Sequence, residues 1–349
     1  MLNLFVTLMN KKVIIIGAGA AGMETAVSLS KSGHHVTLIE KESKLGGHLL
    51  QWDRLFPNRR PASDVVNYLK NNINGTIETI NNTLVNHIEK NDGRFVVETN
   101  HGHFLDADAI VVTTGFEVFD ARKKEEYGYG IYNNVLTSAD LERLFKEGKP
   151  LLTNEGNSPK RIGFIHCVGS RDQKAGHLYC SQVCCVTGVK QAIEVKEMLP
   201  EAEVFSFYMD LRMFDKGFEA LYREAQEKYG VNFIRGRLSE ACENNDGSIL
   251  LKVEDTLAGR PMKMSVDLLV LLVGFVPAGS TADLANMLGM SLSVDGFLEV
   301  KDDNMLTTVS PVEGVFLAGA CCGPKTIACT LNEARSAALK VNEYLREKN

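Results

Sequence analysis

The chain has little that would carry it into a membrane or onto nucleic acid. Its longest apolar run, Leu268 to Val276, is nine residues, roughly half of what a spanning helix needs, and it reads as a buried strand. Basic residues form no long stretch. Arg59-Arg60 and Arg122-Lys123-Lys124 are short, and solvated surface is the better reading of both. The formal charge of −6 argues against a non-specific nucleic-acid role. Met1 to Met9 is apolar but lacks the charged start and small-residue cleavage site of a secretory signal, and Met9 is an alternative start. A cytoplasmic location is expected. There the eight cysteines stay reduced, so their clustering points to metal or redox chemistry rather than to disulfide staples. Tandem repeats and low-complexity tracts are missing too.

What is present begins with a strand–turn–helix. Val13 to Ile16 is β-branched and runs into Gly17-Ala18-Gly19-Ala20-Ala21-Gly22, a helical pattern follows to Lys31, and a second strand, His35 to Ile39, ends on Glu40. Glu40 lies 18 residues past Gly22, the place of the acid that holds a ribose in dinucleotide-binding folds. Gly17 permits the tight turn, Gly19 lets backbone approach a pyrophosphate, and Gly22 lets helix and strand pack closely. The helix start at Ala20 and Ala21 supplies N–H groups and partial positive charge for phosphate. Around this cradle, Lys41, the loop Leu45-Gly46-Gly47-His48, and Thr114-Gly115 at the end of a strand from Ala109 to Thr113 are candidate cofactor contacts. The bland readings are a glycine-rich turn, a plain loop and, for His48, an ordinary satisfied histidine.

A length of 349 residues with 44% apolar content suffices for two domains. Turn formers gather from Glu147 to Pro159, and a boundary is expected there. A second α/β pattern follows: strands at Arg161–His166, Val204–Met209, Val231–Ile234, Ser248–Glu254 and Lys263–Val273, with helices at Val183–Met198 and Gly217–Tyr229. A last strand, Val315–Ala318, precedes a helix from Ile327 to Leu345. The expected layout is residues 9–155 with 275–349 as an outer domain and 158–270 inserted within it, two Rossmann-like domains in all. This arrangement, with Thr307-Thr308-Val309-Ser310-Pro311 and Gly314 to Gly319, resembles flavoproteins such as thioredoxin reductase. The resemblance implies FAD in the outer domain, with Gly319, Ala320, Lys325, Thr326 and Ile327 beside it.

A second glycine cradle is lacking. The strand at Arg161–His166 runs into Cys167-Val168-Gly169-Ser170-Arg171-Asp172 instead, and a loop delays the helix. The nicotinamide site is read as lost. Cys167, Cys180, Cys184 and Cys185 fall within nineteen residues. Cys180 and Cys184 share a helical face, and Cys185 points ~100° away. Four such thiolates suit an iron–sulfur cluster. A zinc site is the alternative, although no Cys-x-x-Cys knuckle occurs; buried free thiols are the other. Cys321 and Cys322 lie near the expected flavin and read as structural, with a redox-active role or help in cluster-to-flavin contact as the alternative, and Cys242 and Cys329 read as core packing.

The blocks Cys167–Asp172, Tyr179–Cys185 and Gly188–Ala192 resemble the A-subunit family of heterodisulfide reductase. So do Glu126–Gly130, Asn134–Ser138, Asp210–Arg212, Phe233–Arg237 and Gly323–Lys325. The resemblance implies one FAD, a [4Fe–4S] cluster on Cys167, Cys180, Cys184 and Cys185, and electron transfer between them in a complex with B- and C-like subunits. The ferredoxin-type cysteine motif of larger members is absent, and Asn58-Arg59-Arg60-Pro61 follows Phe56-Pro57 where they carry extra cysteines. The compact length resembles the A-type component of the Hdr-like complex of sulfur oxidisers, which handles sulfane sulfur on a lipoate-binding protein. The A-type component of quinone-interacting oxidoreductase is the nearest alternative, and a self-contained NAD(P)H-dependent disulfide reductase is another. A homodimer is expected. Many two-domain flavoproteins carry Asp after the last Ala-Gly; Ala320 stands there in this chain, so backbone N–H groups or a neighbouring side chain must serve.

Overall fold

The computed structural model describes residues 10–348; the reading of Met1 to Met9 lies outside them. The described residues divide into two units, one of residues 10–50, 63–117 and 276–348, the other of 51–62 and 118–275. Among the described residues no helix is long and apolar enough to cross a membrane.

The first unit is built on a five-stranded parallel sheet. Its order is Val315–Leu317, Ala109–Val112, Lys12–Ile16, His35–Ile39, Ile77–Ile80. The inner strands are largely apolar, as expected of a parallel sheet covered on both faces. Helix Ala20–Lys31 packs between this sheet and the long helix Ile327–Glu347. A small antiparallel sheet, Val85–Asn91, Arg94–Thr99 and Phe104–Ala107, lies in the same unit. The core is formed by Ile14, Ile16, Val97, Ile110, Val112 and Leu317 with Cys321.

The second unit repeats the plan: Val135–Thr137, Leu268–Val273, Arg161–Val168, Glu203–Tyr208, Asn232–Arg235, all parallel. Leu238–Glu243, Ile249–Asp255 and Arg260–Val266 form an antiparallel sheet. The segment Lys263–Val273, expected as one strand, is thus two. Asp267 separates them, its carboxylate accepting from Lys160 N at 2.6 Å and Arg161 N at 2.8 Å.

The boundary differs from the expected one near residue 155. Residues 118–155 belong with the second unit because Val135–Thr137 pairs with Leu268–Val273. Residues 51–62 also join it, held by a buried charge network. Lys190, 1% exposed, donates to Glu142 Oε1 and to Arg54 O at 3.0 Å. Glu142 also accepts from Gln191 Nε2 and Asp53 N, both at 3.0 Å. Removing one member would strand buried charge, at a cost of roughly 3–5 kcal/mol.

Two acids share the single Lys190 ammonium. Glu194 Oε2 lies 3.2 Å from Nζ and neither carboxylate oxygen accepts a hydrogen bond. Burial raises the Glu194 carboxyl from its ordinary 4.5 to about 7. A raised acid is protonated more readily in the folded state, so its stabilising contribution is complete below its ordinary value and is lost as pH rises to about 7. Glu194→Gln is therefore expected to flatten the decline in unfolding free energy, read from urea titrations, between about pH 4.5 and 7, a decline of up to roughly 3 kcal/mol. Superimposable pH profiles for the two proteins would contradict the assignment.

Candidate cofactor cradle and thiol cluster

In the first unit Gly17 turns the chain at φ 103°. A Cβ there would lie 2.7 Å from Thr113 O, and one on Gly22 would lie 1.9 Å from Gly17 O. Neither position accepts a side chain. The Thr113 hydroxyl donates to Gly17 O at 2.7 Å and lies 3.1 Å from Ile16 O, so it braces the turn from the neighbouring strand. Sequence reasoning stopped one residue away, at Thr114; a threonine on the strand beside the turn was the available signal.

Gly19 caps helix Ala20–Lys31 without any side-chain bond, and a Cβ on it would meet nothing within 4 Å. The helix start thus has no side-chain cap and open space beside Gly19, as an anion at a helix start requires. Glu40 is buried, and its carboxylate accepts from Ala18 N at 2.7 Å and Glu42 N at 2.9 Å. These two bonds fix the acid beside the turn and leave lone pairs for ribose hydroxyls.

Three further segments converge on the same turn. Gly46 N donates to Ala18 O at 2.9 Å, and a Cβ on Gly47 would sit 3.2 Å from Gly19 Cα. Gly319 packs on the helix start, its missing Cβ 2.9 Å from Ala21 Cβ. Thr114 Oγ1 is buried without a partner, as suits a group awaiting a ligand. His48 bonds through Nε2 to Phe116 O at 2.8 Å and stacks on that ring; burial lowers its imidazole pKa.

Other expected contacts are already engaged. Thr326 accepts from Cys329 N as the cap of Ile327–Glu347. Lys325 Nζ contacts both Glu333 oxygens at 2.7 Å, and Glu333 also accepts from Gly319 N at 3.0 Å. Burial opposes the Lys325 charge, but Cys322 and Glu333 beside it hold the ammonium above the usual lysine range. Glu333 was missed because no motif marks it. Lys41 is exposed, and Gly115 adopts φ 72°.

The second unit ends its corresponding strand differently. Pairing with Leu268–Val273 shifts register between Ile165 and Val168, a bulge that re-aims side chains. Cys167, in this bulge, has φ 61°; Arg171 and Gln182 are left-handed at 54° and 59°. Such strain concentrates at functional sites. Phe119 covers Gly169, since a Cβ there would lie 2.0 Å from its ring. No glycine turn leads into the helix, which begins only at Cys184.

Cys184 and Cys185 are buried in one core cluster, and Cys167 is buried with Cys184 as an electrostatic neighbour. The neighbouring Cys184 thiol lowers Cys185 to about 4, with His166 assisting. The same thiol lowers Cys167 to about 7, and Cys184 itself is raised. Arg171 adds positive charge beside Cys167. Cys180 is half-buried, its sulfur accepting from Gln182 N at 3.3 Å. Three of the four expected ligands are thus neighbours, Cys167 and Cys185 lowered and Cys184 raised. Among the described residues, however, no group of three or more His, Cys, Asp or Glu side chains is arranged to hold a metal ion. The donor chemistry suits a thiophilic centre; a closed four-sulfur cage is not formed. A water-sized cavity of about 10 Å³ lies beside Cys167, His166 and Arg237.

The cradle makes a direct prediction. Gly22→Ala drives a methyl group into Gly17 O, so the variant should retain FAD at least ~10-fold more weakly. Flavin absorbance after gel filtration checks this; full retention would contradict the role of Gly22.

The pyridine nucleotide-disulphide oxidoreductase family model matches residues 11–338. The A component of the H(2):CoB-CoM heterodisulfide,ferredoxin reductase of Methanothermobacter marburgensis is 42% identical over 68% of this chain and 37% of its own length. The iron-sulfur A component of the CoB--CoM heterodisulfide reductase of Methanocaldococcus jannaschii is 31% identical over 95% of the chain and 64% of its own length. The chain therefore spans between about a third and two thirds of these relatives. Among solved structures, the thioredoxin reductases of Lactococcus lactis and T. acidophilum match 97% and 98% of the chain and all of their own, with TM-scores of 0.67 and 0.65 at 18% identity. The fold is thus thioredoxin reductase-like, with two Rossmann-type units. By the family match and the cradle at its start, the chain belongs to the pyridine nucleotide-disulphide oxidoreductase family, as an FAD-dependent oxidoreductase.

Proposed function

We propose that the chain is an electron-transfer component of a heterodisulfide reductase-like complex in the cytoplasm. It would carry FAD on the first unit and a [4Fe–4S] cluster on Cys167, Cys180, Cys184 and Cys185 of the second. Its partners are B- and C-like subunits, and it forms a homodimer. The reading extends to oxidation of sulfane sulfur presented by a lipoate-binding protein. One observation carries the proposal: where a second glycine cradle would hold nicotinamide, the second unit gathers Cys167, Cys184 and Cys185 with depressed thiol pKa values at Cys167 and Cys185. The names of the heterodisulfide reductase relatives support the same reading.

When bound, FAD would supply the exchange between one- and two-electron steps, and a cluster would supply single-electron transfer. The protein's own contribution is positioning. Gly17, Gly19 and Gly22 with the start of helix Ala20–Lys31 would hold the pyrophosphate, and Glu40 the adenosine ribose. Lys41, Gly46, Gly47, His48, Thr114, Gly115, Ala320, Lys325 and the start of helix Ile327–Glu347 would line the rest. Lys325, kept charged by Glu333, would favour negative charge on a reduced ring. In the second unit, Arg171 and the helix start at Cys184 would stabilise thiolates and a net-negative centre.

Protein purified without oxygen should contain iron and acid-labile sulfide, and Cys184→Ala should lose both while keeping FAD. Unchanged iron in the variant would overturn the ligand assignment, with FAD retention serving as the control for folding. Zinc at one per chain without iron would replace the cluster by a structural site. Rapid bleaching of the flavin by NADH, with no partner present, would favour a self-contained disulfide reductase, the activity class of the structures that share its fold.

A further inference from the structure

The adjacent pair Cys321 and Cys322 is used by none of the chemistry above. Both follow Gly319 in a single turn of 3-10 helix, Ala320–Cys322, at the end of strand Val315–Leu317. Their sulfurs are 3.7 Å apart. Cys321 is fully buried, its sulfur 3.3 Å from both Val112 O and Ala318 O. Cys322 is half-buried and has the Lys325 ammonium as an electrostatic neighbour. The pair thus combines an accessible thiol beside a cation with an enclosed one within reach.

We propose that Cys321 and Cys322 form a dithiol–disulfide couple, a second two-electron site within the cradle-bearing unit. Closure breaks two S–H bonds and makes one S–S bond, releasing two protons and two electrons. A small-molecule disulfide takes up the electrons and is reduced to two thiols; reduced flavin, when bound, would return two electrons to the closed pair. In exchange with such a disulfide, Cys322 attacks first, because it is half-buried whereas Cys321 is fully enclosed. Cys321 then displaces the mixed disulfide. Neighbouring Cα atoms are ~3.8 Å apart, below the ~4.4–6.8 Å usual for disulfides. The closed form is therefore strained and easily reduced, as a redox couple rather than a staple must be.

The location favours exchange with a cofactor over exchange with a protein. The turn lies against the cradle through Gly319 and Ala21, and Cys321 belongs to the core beneath the strand ends. A large reductant cannot reach it there.

The test uses the FAD-containing protein under anaerobic conditions, independently of any cluster. It is equilibrated with varied ratios of reduced to oxidised glutathione, quenched in acid, unfolded and alkylated. The mass of the peptide carrying both cysteines is then read. One cooperative transition is expected, from two alkyl groups to none with the loss of two hydrogens. Photoreduction of the flavin after glutathione is removed should return the pair to two alkylatable thiols. Cys322→Ser should abolish the transition and leave Cys321 alkylated throughout. Two alkyl groups at every ratio, or glutathione held on Cys322 without closure, would overturn the couple. A closed pair that ignores the photoreduced flavin would overturn its exchange with the cofactor.

Discussion

The contact between Gly22 and the Gly17 carbonyl sets the geometry of the first unit. A Cβ at Gly22 would come within 1.9 Å of that oxygen, so helix Ala20–Lys31 can start this close to the sheet only with glycine there. Close approach leaves open space beside Gly19 at the uncapped helix start and lets Thr113 brace the turn from the next strand. It also brings Gly46, Gly47 and Gly319 against the same spot. The proposed cofactor site rests on this backbone proximity, with Glu40 and Lys325 adding charge beside it.

The second unit has the same five-stranded parallel plan and lacks this contact. Its strand breaks register before Val168, Phe119 covers Gly169, and the helix is delayed to Cys184. The same helix start that would face phosphate instead faces thiols. A helix dipole stabilises a thiolate for the reason it stabilises phosphate, so on the proposed reading one scaffold would serve two chemistries by changing what sits at the end of one strand.

The cradle was legible because its constraint is local: glycines at fixed offsets, a β-branched strand before them and an acid after them. The second strand–helix unit was legible as a departure from that pattern. The boundary was not, because membership of residues 118–155 is decided by a long-range pairing of Val135–Thr137 with Leu268–Val273 that leaves no local mark. The clamp on residues 51–62 by Lys190 and Glu142 was hidden for the same reason. Lys263–Val273 read as one strand since the break at Asp267 rests on bonds to Lys160 and Arg161, far away in sequence. Spacing placed Cys180 with the other thiols; in the structure it is half-buried and bonded to its own loop at Gln182.

The account stands on a division of labour: a dinucleotide on the first unit and a thiolate-held centre on the second. Electron paramagnetic resonance of the anaerobically purified, reduced protein, with FAD, iron and sulfide quantified on the same sample, tests this most directly. The account predicts one FAD per chain, iron and sulfide in equal amounts, and the signal of a reduced cubane cluster. FAD with neither iron nor sulfide, in protein that has never met oxygen, would contradict it.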